Sequence, residues 1–210
     1  MSGEEGLAAR RLPVDPNHGR KILAVVTAHP DDEMGLGSVL AHYADRGVKV
    51  HLVCLTSGQK GFRPHTNIVD AKELARVRRE ELRKAARILG VEPPRVLGFV
   101  DQELLGPAQE RIREELTRVL DELEPDVVLT FGPDGVTGHQ DHRAVSCFVT
   151  EILQAREDGS TRLFYHELPL SHVAHVAGRT GRTLLGVASR YLTARIQVSE
   201  GELERGIRAL

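Results

Sequence analysis

The sequence predicts an α/β fold, a Rossmann-like three-layer arrangement around a mainly parallel sheet. Three observations carry this. From Lys21 onward, short apolar runs alternate with longer amphipathic ones, the rhythm of strand–helix units joined by right-handed crossovers. The short runs are mostly apolar and rich in β-branched residues, as buried strands are. Two polar clusters fall just beyond predicted strands, where the active sites of such folds lie.

Taken in order, Lys21–Ala28 (KILAVVTA) reads as a buried strand. Gly37–Gly47 reads as a helix with Val39, Leu40 and Tyr43 on one face and Gly47 as its stop. Val48–Thr56 is a second strand, and the Gly/Pro-rich stretch Gly58–Val69 a loop long enough to suggest function. Asp70–Gly90 is the clearest helix: Leu74, Val77, Leu82, Ala85, Ile88 and Leu89 recur at helical spacing, Asp70 caps the start and Gly90 ends it. Arg95–Asp101 is a short strand after a Pro-Pro break. Pro107–Leu123 is a helix with proline in its first turn. Asp126–Gly132 is a strand, Gly132–Asp141 a loop, His142–Glu157 a helix and Arg162–Leu168 a further strand. Pro169–Tyr191 carries no clear pattern; Arg195–Ser199 reads as an edge strand before a final helix.

The 210 residues suffice for one sizeable core, and 40% hydrophobic with 28% charged residues suits a soluble globular chain. We expect residues 1–19 to be a flexible leader and residues 20–210 a single domain. A net charge of −2 argues against nucleic acid as partner, and 4% aromatic residues with no Trp argue against a base-stacking platform. No apolar stretch approaches the ~20 residues of a membrane span, and no secretory h-region precedes the first strand. Cys54 and Cys147 both fall in apolar runs and read as core thiols, so the expected compartment is cytoplasmic. A homo-oligomer stays open.

The chemistry lies in two clusters. His29 and Asp32 are three apart across a strand-to-helix turn, and His139 and His142 three apart across a loop-to-helix turn. Imidazole plus carboxylate suits zinc and similar divalent ions. His29, Asp32 and one histidine of the second cluster would leave an open position for water. The ion would also relieve the crowding of Asp31, Asp32 and Glu33. Asp31, beside a ligand, is then the candidate base. The unused histidine is an acid or electrostatic stabiliser, and Asp141 the carboxylate that orients it. His18, His42, His51, His65, His166, His172 and His175 read as surface or structural. Gly35–Leu40 starts like a dinucleotide fingerprint but ends in Leu, and there is no P-loop or nucleophile elbow.

AHPDDE after the first strand, paired with GHQDHRAV after a later one, resembles the PIG-L/LmbE-like N-deacetylases. That family includes the GlcNAc-phosphatidylinositol de-N-acetylase and the deacetylases of mycothiol and bacillithiol synthesis. The resemblance runs from about Lys21 to Glu157. It implies a metal-dependent hydrolase that removes acetyl from an N-acetylglucosamine-type small molecule, with one divalent ion, Zn2+ first and Fe2+ second. It implies His29, Asp32 and His142 as metal ligands and Asp31 as general base. His139 would stabilise the oxyanion and protonate the leaving amine, with Asp141 orienting it, and Arg78 and Asp101 would contact sugar hydroxyls. Three positions depart from the family's pattern: Gln140, Gln59 and Thr137 stand where many members have Pro, Glu and, in a subset, Tyr. The rival readings are an amidase or deacetylase for another small amide, such as a thiol conjugate or antibiotic precursor, and a catalytically silent, metal-stabilised sugar-binding protein.

Overall fold

Ile22–Thr27 forms β1, and every residue after the first is buried, because parallel strands are covered on both faces. The computed structural model describes residues 21–61, 70–157, 159–180 and 184–210; the expected leader and Phe62–Val69 of the long loop lie outside them. β1 is followed by α1 (Gly37–Asp45), β2 (Lys49–Thr56), α2 (Ala71–Leu89), β3 (Arg95–Phe99), α3 (Gln109–Leu123), β4 (Val127–Phe131), α4 (Gln140–Gln154), β5 (Arg162–His166), α5 (Leu170–Thr180) and α6 (Glu200–Arg208). The strands stand in the order β3-β2-β1-β4-β5, and all four pairings are parallel. This is the α/β, Rossmann-like fold that the alternation predicts.

Side chains alternate across β1 with period two. Ala24, Val26 and Ala28 enter a core with Ile112, Leu116 and Leu120 of α3 and Val145, Phe148 and Val149 of α4. Leu23 and Val25 enter another with Leu40 and Ala41 of α1 and Leu82, Ala86 and Leu89 of α2. Each such Leu, Val or Phe, fully buried, contributes about 1.5–3 kcal/mol. At the amino end of the sheet, Asp126 accepts from the Ile22 amide (2.8 Å) and from Lys21 Nζ (2.9 Å), fixing β1 against β4.

The sheet order creates the site. From β1 the chain crosses to β2 on one side; after β3 it returns to β4 on the other. The loops leaving β1 and β4 therefore diverge at the carboxyl edge and open a crevice between them. HPDDE follows β1 and GHQDH follows β4.

Several local expectations change. α4 begins at Gln140, not His142, because His139 itself caps it, its side chain accepting from the Asp141 amide. α3 begins at Gln109, so Pro107 precedes the helix. Arg195–Ser199 joins no strand; its alternating pattern belongs to an extended segment lying over the sheet, with Ile196 packed on the second core. Cys54 is buried, but Cys147 is exposed on α4, where helical spacing turns it outward beside Glu151.

The final helix docks on α1. Ser199 and Glu202 form a capping box at the start of α6. The Glu202 carboxylate also takes Arg46 Nη1 (2.7 Å) and lies 3.1 Å from His42 Nδ1. Gly37 and Gly206 let the two backbones meet: a Cβ on Gly206 would lie 2.7 Å from the Ser38 amide nitrogen. Among the described residues no helix is long and apolar enough to cross a membrane.

Candidate metal centre

β1 ends in a sharp turn. Asp31 has φ 105°, a left-handed conformation rare for a residue with a side chain. The buried Glu33 holds that turn, its carboxylate accepting from the Asp31 amide at 2.9 Å; burial pushes this carboxyl up to about 7. The next residue of the turn, Asp32, folds back: Oδ2 accepts from the amides of Ala28 (3.0 Å) and His29 (2.7 Å).

His29, Asp32 and His142 converge from two loops. Asp32 Oδ1 is 3.1 Å from His142 Nε2, and Asp32 Oδ2 is 3.5 Å from His29 Nδ1. Each imidazole is held through its other nitrogen. His142 Nδ1 lies 3.0 Å from the Gly135 carbonyl, so that nitrogen carries the proton, and the ring stacks on Phe131 with centroids 4.1 Å apart. His29 Nε2 lies 3.0 Å from Asp101 Oδ1 and 3.2 Å from Asp141 Oδ2. That leaves His29 Nδ1 and His142 Nε2 each turned toward the Asp32 carboxylate, while the ligand nitrogens of His29, His139 and His142 lie within 4.8 Å of one another. Histidine ligands are characteristically held so, by a carboxylate or carbonyl on the far nitrogen. The residues present therefore fit a divalent ion, with a carboxylate and two imidazoles as donors.

The charges agree. Burial alone would lower the His29 pKa, but Asp101, Asp141 and Asp32 outweigh it and raise the ring to about 11. Burial would raise Asp32, yet its contacts with His142 and His29 hold it well below the usual carboxylate range. Three carboxylates packed around one imidazole form a strongly cation-favouring place.

His139 stands at the rim, more exposed than either other histidine. Its ring centroid is 4.8 Å from that of His29 and 5.0 Å from that of His142. Its Nδ1 accepts from the Asp141 amide (3.2 Å), so a neutral ring carries its proton on Nε2. Burial, then the neighbouring His29 and His142, lowers its pKa and favours that neutral form.

Three expected roles are altered. The Asp141 carboxylate does not orient His139; it holds His29 and accepts from the amides of Gln102 (2.6 Å) and Leu104 (3.4 Å). Asp101 lines the crevice but is 2% exposed, its carboxylate engaged by His29 and the Lys60 amide (3.0 Å). Arg78 is 6% exposed. Its guanidinium donates to Gly58 O (3.1 Å), Pro30 O (2.6 Å) and the Asp31 carboxylate, so it positions Asp31. Gly58 and Gly61 make room for it: a Cβ on either would lie within 2.4 Å of Nη1. Glu33, which the sequence offers as a supporting acid at the start of the next helix, supports the turn before it instead, through the Asp31 amide.

A crevice of about 540 Å³ opens here, lined among others by Asp31, Lys60, Arg78, Gln102, Thr137 and His139. Its size suits a small-molecule substrate.

The family model described as GlcNAc-PI de-N-acetylase (PIG-L) matches residues 24–153, more than half of the chain. The chain is 34% identical over 144 residues to a probable N-acetyl-alpha-D-glucosaminyl L-malate deacetylase 2 of Bacillus anthracis, covering 67% of this chain and 63% of that one. It is 38% identical over 144 residues to the 1D-myo-inositol 2-acetamido-2-deoxy-alpha-D-glucopyranoside deacetylase of Corynebacterium diphtheriae, covering 59% and 49%. These alignments span about half to two-thirds of the relatives' length. Among solved structures, the N,N'-diacetylchitobiose deacetylase from Pyrococcus horikoshii superposes with a TM-score of 0.67 at 25% identity, over 91% of this chain and 68% of that one. With the matched residues spanning both loops of the crevice, this chain belongs to the GlcNAc-PI de-N-acetylase (PIG-L) family.

Proposed function

We propose that this protein is a metal-dependent hydrolase that removes the N-acetyl group from an N-acetylglucosamine-type small molecule. The observation that carries the reading is the convergence of His29 Nδ1, the Asp32 carboxylate and His142 Nε2, each imidazole held from behind. Zn2+ fits this donor set best, and Fe2+ is the second choice. The relatives named above as deacetylases of glucosamine-containing compounds support the substrate class. Two free cysteines agree with a cytoplasmic location.

A divalent ion held by these three residues supplies Lewis acidity toward the acetamide carbonyl and makes water a better nucleophile near neutral pH. The remaining work falls to the chain. Asp31, half exposed on the crevice, takes the proton of the attacking water at its carboxylate. Arg78 holds that carboxylate in place where it lines the crevice. His139 Nε2–H, its direction set by the Asp141 amide, donates to the oxygen that gains charge as the carbonyl is attacked. The departing nitrogen receives its proton from Asp31, the one taken from the attacking water. Asp101 and Asp141 hold His29 still throughout.

Acetate release from N-acetylglucosamine-containing substrates tests this. Zn2+-loaded protein should release acetate, and Asp31→Asn should slow turnover by about 10²-fold or more while keeping its metal. No acetate from a panel of such sugars, with amine released from other amides, would favour the rival amidase reading. Metal binding with activity indifferent to Asp31 would point to a different base.

A further inference from the structure

Three consecutive residues after β3 clasp Lys60 on the wall of the metal crevice. The Lys60 amide donates to Asp101 Oδ2 (3.0 Å), its carbonyl accepts from Gln102 Nε2 (3.3 Å), and its ammonium donates to Glu103 Oε1 (2.6 Å). Lys60 and Gln102 both line the crevice, and both are exposed. A carbonyl only accepts, so the Lys60 contact orients the Gln102 carboxamide: Nε2 faces Lys60, and Oε1 remains as an acceptor. The family resemblance implies Arg78 and Asp101 for sugar hydroxyls, but both are buried and bonded within the protein. Gln102, next to Asp101 along the same wall, offers an exposed acceptor.

Gln102 holds this place against a backbone cost. Its φ is 63°, in the left-handed region, which glycine enters freely and a residue with a side chain does not. The turn itself has a purpose: it aims the Gln102 amide at Asp141 Oδ2, 2.6 Å away, on the carboxylate that holds His29. Glycine would make that bond as well, without the strain. A side chain kept in such a conformation on a crevice wall points to a use for the side chain itself. Its position says which part of a substrate it meets. Asp141 takes the Gln102 amide on its carboxylate and donates its own amide to the ring of His139 (3.2 Å). Asp141 alone therefore separates Gln102 from the ring that faces the scissile acetamide. The substrate atoms nearest Gln102 are those beside the acetamido group.

We propose that Gln102 is a specificity-determining residue, its carboxamide oxygen accepting a hydrogen bond from the substrate hydroxyl vicinal to the acetamido group. The proposal rests on the deacetylase reading above and deepens it. In a 2-acetamido-2-deoxyglycoside, one carbon beside the acetamido carbon bears the glycosidic oxygen, which has no proton to give. The other bears the 3-hydroxyl, which has one. A site that provides an acceptor for a hydroxyl discriminates against the analogue that lacks it.

The test compares methyl 2-acetamido-2-deoxyglucopyranoside with its 3-deoxy analogue on the Zn2+-loaded protein and on Gln102→Ala and Gln102→Gly. Acetate release, Zn2+ affinity and melting temperature are read. Wild type should favour the 3-hydroxyl compound by about tenfold or more in kcat/KM, chiefly through KM. Both variants should bring that ratio to within about twofold of unity, with Zn2+ affinity unchanged. Gln102→Gly should also raise the melting temperature by about 2 °C or more, as the left-handed turn loses its side chain. If Gln102→Ala fails to fold, Gln102→Gly makes the same comparison. Equal kcat/KM for the two compounds in wild type, or a preference that survives both variants, overturns the proposal. So does a loss that falls equally on both compounds, because a merely structural role moves them together. If wild type releases acetate from neither compound, the deacetylase reading fails separately, and calorimetric binding to the Zn2+-loaded protein decides. Tighter binding of the 3-hydroxyl compound, lost in Gln102→Gly, keeps Gln102 as the reader of that hydroxyl; equal or absent binding overturns it.

Discussion

The guanidinium of Arg78, rooted in α2, reaches across the crevice floor to bind the carboxylate of Asp31 and the carbonyl of Pro30 with the same nitrogen. A strained residue, at φ 105°, thereby presents a carboxylate of fixed direction, which a general base requires. Arg78→Lys keeps the charge but loses the planar fork. Turnover should fall by about tenfold to hundredfold with metal content unchanged. Stability should fall by about 1–3 kcal/mol as the Gly58 and Pro30 carbonyls lose their donor. Steady-state kinetics and metal analysis on the same preparation check this.

Asp101 and Asp141 both hold the far nitrogen of His29, so on the proposed metal reading they would act on the ion through that ring. Asp101→Asn and Asp141→Asn should each weaken Zn2+ affinity by about 10–100-fold. Competition with a chromogenic chelator reads it. If the principal contact of Asp101 were to a sugar, its variant would raise KM and leave Zn2+ affinity alone.

The docking of α6 depends on the close meeting of Gly37 and Gly206. Gly206→Ala sets a methyl against the Ser38 backbone at 2.7 Å, where neither side can yield cheaply. A loss of about 1–3 kcal/mol is expected, measured by urea unfolding. Gly201→Ala, on the same helix with open space beside it, should be neutral or stabilising.

Acid should release the same helix. Hydrogen bonds from the Ser199 amide, Arg46 and His42 hold Glu202 down at about 2, against about 4.3 for an unfolded glutamate. A carboxyl depressed on folding stabilises fully above its unfolded pKa and loses that contribution as pH falls through its folded value. The stability gap between wild type and Glu202→Gln should therefore be constant above about pH 4.3 and shrink between there and about pH 2. A gap unchanged across that window would show that the carboxylate's charge has no part in the docking.

Much of the fold was legible in the sequence because parallel strands and amphipathic helices announce themselves by period. Asp70 and Gly90 bracketed α2 through their cap chemistry. The extended segment after Tyr191 alternates like a strand without pairing as one, since alternation reports a half-buried edge and not a hydrogen-bond partner. His139 hid the start of α4 because histidine is not a usual capping residue. At the site, spacing brought His29, Asp32 and one histidine of the second cluster into one set, and the family resemblance pointed to His142. It could not say which carboxylate would hold which ring, because Asp101 comes from the end of β3, a third strand, and Asp141 from α4. Arg78 is buried against Asp31 and two carbonyls, a contact that its place in a highly charged helix does not reveal.

The central claim is that His29, Asp32 and His142 hold one divalent ion. Its most direct test is equilibrium titration of metal-free protein with Zn2+, wild type against His142→Ala, near neutral pH. We predict about one tight site per chain in the wild type and loss of that site in the variant. Absence of a tight site in the wild type, or the same affinity in His142→Ala, would contradict it.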